Sequence, residues 1–136
     1  MDVRMEHTEG RGKTAEVWID DELLIVCDNV STAEARLGLG VIEDVAFRYM
    51  TDEAVSWDNA IAANTMQLRQ LVPESGWRDF GYGRVERIMP VVIDFGTVVM
   101  TDPNWSTDES LVGKFVCMPI DRLELVTKQE EDYPAM

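Results

Sequence analysis

The run YGRVERIMPVVIDFGTVVM, residues 82–100, decides the fold. It is dense in Val and Ile, and its breaks are Pro90 and Gly96, which mark an edge, a bulge or a turn. It therefore reads as two strands, 82–89 and 91–100, with Asp94-Phe95-Gly96 either turning a hairpin or bending one long strand. Apolar strands of this kind need a cover. Just upstream, Trp57, Ile61, Asn64, Leu68 and Leu71 recur at steps of four, three, four and three behind a capping Ser56, and Pro73 forbids continuation. That spacing predicts one main helix over 56–72.

Further out the same logic gives more strands. Runs 15–19 and 23–27 flank Asp20-Asp21-Glu22 and predict a short hairpin. Residues 45–49 alternate with period two, and 114–119 and 122–126 read as two short strands broken at Pro119. Ser31-Thr32-Ala33-Glu34 matches a capping box for at most two helical turns before Gly38 and Gly40. Residues 1–13 are polar and contain Gly10 and Gly12, so they are expected to form a disordered N-terminal tail, with 14–127 a single globular domain and 128–136 a flexible C-terminal tail. The expected class is α+β: a mostly antiparallel curved sheet, or a small partly open β-barrel, with the helix packed on it.

The chain has 136 residues, 46% hydrophobic and 28% charged, enough for one core without staples. Asp and Glu number 26 against 12 Lys and Arg, a net charge of -14. That field repels phosphate backbones and anionic lipids, so nucleic acid and membrane are not expected partners, whereas a basic protein partner is suited. Solubility or salt adaptation explains the same excess, and only three of the basic residues are Lys. No apolar leader follows Met1, and no run approaches the roughly 18 residues of a membrane span. Cys27 and Cys117 sit in apolar segments and read as buried thiols, so a reducing, cytoplasmic location is expected. Asn29-Val30-Ser31 and Asn104-Trp105-Ser106 match the glycosylation pattern, which has no use without export.

Familiar catalytic sets lack their residue types. His7 is the only histidine, so a histidine base or a Cys/His zinc cage is not expected, and no glycine-rich phosphate loop is present. No catalytic residue, metal or cofactor is assigned. Asp94-Phe95-Gly96 spells a kinase magnesium tripeptide, but the companion loops are missing. Asp102, Asn104, Ser106 and Asp108 alternate like the start of a calcium loop, yet Thr107 and Gly113 stand where Gly and Glu are required.

Asp94 at the end of an apolar strand needs a partner: Arg84, Arg87 or Arg122, or the backbone ahead of Gly96. Trp18 and Trp57 fall on expected core faces. Trp77 and Trp105 fall in loop-like segments and, with Tyr82, Arg84 and Asp94, form the candidate binding patch. Three readings follow. The first is a non-catalytic binding or interaction module. The second is a carboxylate-dependent, hydrolase-like enzyme using Asp94 with Glu86 or Asp121. The third is an acidic inhibitor or immunity-type protein that meets a basic partner.

Overall fold

The computed structural model describes residues 2–30, 40–43, 45–51, 56–102 and 106–127. Strands dominate them: β1 (Val3–Thr8), β2 (Thr14–Ile19), β3 (Glu22–Asp28), β4 (Gly40–Ile42), β5 (Val45–Met50), β6 (Gln70–Ser75), β7 (Arg78–Arg87), β8 (Val92–Asp94), β9 (Val99–Thr101), β10 (Phe115–Ile120) and β11 (Arg122–Thr127), with one short helix, α1 (Trp57–Ala62). The first sheet runs β4-β1-β2-β3-β11-β5; the second runs β10-β7-β8-β9, with β6 also on β7. All pairings are antiparallel except β3 with β11. The expected curved antiparallel sheet is present, strongly curled, and its helical cover is much smaller than the sequence suggests.

The 56–72 helix stops after six residues, although Ser56 caps it as expected and accepts a hydrogen bond from Asn59 N–H. Asn64 ends it. Its Oδ1 accepts from Leu68 N–H at 2.8 Å, and its Nδ2 donates to Leu68 O and to Val116 O, both at 3.0 Å. The side chain thus ties the turn shut and satisfies an outer carbonyl of β10, after which the chain extends into β6, with Pro73 in a strand rather than beyond a helix. Asn64→Ala removes these bonds at a site only 3% exposed. It is expected to cost about 2–3 kcal/mol, read as a lower denaturant midpoint at unchanged m-value.

Residues 3–8, expected as tail, form β1. Val3 and Met5 point into the core, and a bulge between Met5 and His7 then shifts the register so that Thr8 also faces inward. The bulge breaks the period-two pattern that would have marked the strand. His7 lies exposed on this strand, opposite Glu16. Trp18 is not a core residue. It faces outward beneath the Arg4 guanidinium, 5.7 Å from the ring centroid, and its Nε1 donates to Glu6. Trp57 packs against the core as expected. The capping-box segment 31–34 and the tail 128–136 lie outside the described residues.

Residues 91–100 fold as a hairpin, β8 with β9. Asp94 Oδ1 accepts from Gly96 N–H at 2.8 Å and Phe95 N–H donates to Val98 O, so the carboxylate satisfies its own turn. Gly96 sits at φ 86°, a conformation that favours glycine. The turn carries Phe95 over β7, where Gly81 and Gly83 leave room for its ring. Phe95 is fully buried and meets Tyr49 of the other sheet edge to face, centroids 5.7 Å apart. The two sheets share one core through this contact.

Candidate functional site

The first sheet has an inner face of core residues and an outer face with a different chemistry. Along β3, β11 and β5, Leu24 and Val26, Leu123 and Leu125, and Phe47 and Tyr49 point inward. The alternate positions Cys27, Glu124 and Arg48 point outward and stand in one cross-strand row, because Glu124 is the register partner of both others. Arg122, two residues before Glu124, shares that face.

Glu124 is 1% exposed and held by two guanidiniums. Arg48 Nε donates to Oε2 at 2.5 Å, and Arg122 Nε lies 2.7 Å from Oε1 in an ion pair outside hydrogen-bonding angles. A carboxylate this buried is tolerated only when paired, and here the pair also fixes where both guanidiniums lie.

Two turns wall the row. Gly12 N–H donates to Asp28 O at 2.7 Å and Arg11 donates to Asn29 O at 3.1 Å, which brings the β1–β2 connection against the end of β3. Leu123 N–H donates to Trp77 O at 2.9 Å, which brings the β6–β7 turn of the second sheet onto β11. Between them lies a cleft of about 530 Å³, lined by Arg11, Gly12, Cys27, Asn29, Arg48, Trp77, Arg122 and Glu124. Among the described lining residues three arginines face one carboxylate, in a chain whose net charge is -14. Trp77 Nε1 is buried and has no acceptor among the described residues. Burial, and then the Glu124 carboxylate, push the Cys27 thiol above its ordinary range, so it is a neutral, unreactive wall.

The expected patch of Trp77, Tyr82, Arg84, Asp94 and Trp105 divides. Trp77 lines the cleft. Tyr82 and Arg84 lie on the outer face of β7, with Asp94 opposite Arg84 in register. Arg84 pairs with Glu86 at 3.0 Å and Asp94 with Arg69 at 3.1 Å, so the guanidinium that meets Asp94 is Arg69 and none of the three expected ones. Seven residues of extended chain separate Trp77 from Arg84, about 23 Å. Trp105 lies outside the described residues.

Of the residues in the calcium-like run, Asp102 turns inward, 1% exposed, and accepts a hydrogen bond from Tyr49, while Asp108 caps its own turn through Ser110. Among the described residues no three His, Cys, Asp or Glu side chains gather to hold a metal, and no helix is long and apolar enough to cross a membrane. Arg11, Arg48 and Glu124 escaped the sequence reading, and Arg122 entered it only as an expected partner of Asp94, because their convergence depends on a parallel pairing of Glu124 with the distant Cys27. Comparison with protein-family models, with curated proteins and with solved structures returns no match.

Proposed function

We propose that this chain is a non-catalytic binding module and that the arginine-lined cleft on its first sheet holds the ligand. One observation carries the reading: three of the chain's nine arginines and the Trp77 side chain converge on one concave site. Its volume is that of ordinary small-molecule sites, and its walls come from β3, β5, β11 and two turns, a rigid frame.

The enzyme reading has less support. Asp94 is engaged by its own turn and by Arg69, Glu86 by Arg84, and Asp121 by Arg78 at 3.4 Å. Those acids do not line the cleft. The inhibitor reading, with a basic protein partner, rests on the net charge of -14 and on no particular surface.

The test is a thermal-shift screen of small molecules balanced among acids, neutral compounds and bases, repeated on Trp77→Leu. Leucine removes the aromatic wall of the cleft at a half-buried turn position, so the variant is expected to remain folded. A saturable rise in Tm with wild type, reduced at least tenfold in apparent affinity by Trp77→Leu, is the expected result. Absence of any hit in all three classes, or hits indifferent to Trp77, contradicts the assignment.

A further inference from the structure

The chemistry of the cleft walls specifies what they receive. Arg48, Arg122 and Arg11 bring guanidinium N–H groups, whereas Glu124, the one carboxylate among the described lining residues, is buried and already faces two guanidiniums. Among the described lining residues the surface is rich in donors and carries two more positive than negative side chains. Such a wall complements a group with several acceptor oxygens and a negative charge, and guanidinium forks fit carboxylate and phosphate geometry in particular.

Size sets a second condition. A cleft of about 530 Å³ is larger than an isolated inorganic oxyanion needs and suits an organic body, for which Trp77 and the neutral Cys27 thiol offer apolar wall. The charge of the whole chain sets a third. A net charge of -14 repels extended polyanions over about a Debye length, roughly 8 Å at physiological salt, so phosphates lying beyond the cleft would be opposed.

Resting on the binding-module reading, we infer that the ligand is a small organic molecule bearing a single carboxylate or phosphate group, seated with its oxygens toward the arginines and its body against the Trp77 ring. Glu124 is a positioning residue. It holds Arg48 and Arg122 side by side, so that the ligand meets guanidiniums already ordered and the ordering entropy is spent in folding.

The experiment follows the Trp77 indole N–H signal in ¹H–¹⁵N spectra of the full chain, assigned by its loss in Trp77→Phe. The probes are benzoate and phenyl phosphate, benzamide as the neutral shape match, benzylamine as the cation, and a single-stranded hexathymidylate as the polyanion. Benzoate or phenyl phosphate is expected to move the signal saturably, with affinity at least tenfold above benzamide and benzylamine. Arg11→Gln, at an exposed rim position, is expected to weaken the acid about tenfold and leave benzamide unchanged.

Equal effects of benzamide and benzoate overturn the oxyanion assignment while leaving a binding module. Tighter binding of the hexathymidylate than of phenyl phosphate overturns the small-molecule assignment. No movement with either acid overturns the inference, and the balanced screen above then shows whether a ligand of another class occupies the cleft.

Discussion

Asp79→Asn is expected to stabilise the fold by about 3 kcal/mol at pH 8 and to change it little at pH 4. Asp79 lies on the inner side of β7 and is 5% exposed. Burial, reinforced by the nearby Glu22 carboxylate, pushes its carboxyl up from 3.8 to about 6. Glu22 itself accepts a hydrogen bond from Thr97. Because the folded value exceeds the unfolded one, the folded protein holds a proton that the unfolded chain has released between about pH 4 and pH 6. Stability is therefore full below the unfolded value and is lost as pH rises through about 6. Asparagine mimics the protonated acid and abolishes this slope. Denaturant unfolding of both proteins from pH 4 to pH 8 reads the difference, and parallel pH profiles would contradict the placement of Asp79.

Phe95→Ala is expected to cost about 4 kcal/mol, at the upper end for a buried aromatic, because Phe95 touches both sheets. Its ring also explains a glycine. A Cβ built on Gly81 would come within 2.6 Å of Phe95 Cε1 and 2.8 Å of Ile120 Cδ1, both side-chain atoms. Gly81→Ala should therefore cost about 2–3 kcal/mol in wild type and at least 1 kcal/mol less in a Phe95→Ala background, where one obstruction is gone. At Gly83 the Cβ would also meet the Asp94 carbonyl oxygen at 2.8 Å, which is backbone, so Gly83→Ala is expected to be rescued less. A double-mutant cycle by urea unfolding checks the pair. Additive costs for Gly81→Ala and Phe95→Ala would mean that the ring does not lie over β7.

The β-hairpin around Asp20, the strand at 45–50 and the last two strands were legible because alternation and turn residues are local signals. β1 was hidden by its bulge. The helix was overread because Leu68 and Leu71 keep a helical spacing while belonging to a turn and a strand, and a single asparagine makes the difference through a bond to β10. Trp77 was singled out for its loop position and does line the cleft; Tyr82, Arg84 and Asp94 belong to the outer face of the second sheet. The arginines could not be grouped from sequence, since residues 11, 48 and 122 meet only through the β3–β11–β5 order.

The most direct measurement is a crystal structure of the chain grown with phenyl phosphate, examined at the outer face of β11. The expected result is a phosphate group within hydrogen-bond distance of at least two of Arg11, Arg48 and Arg122, with Glu124 still paired to Arg48. A fully occupied ligand elsewhere, or an ordered cleft that stays free of it at saturating concentration, would contradict the account.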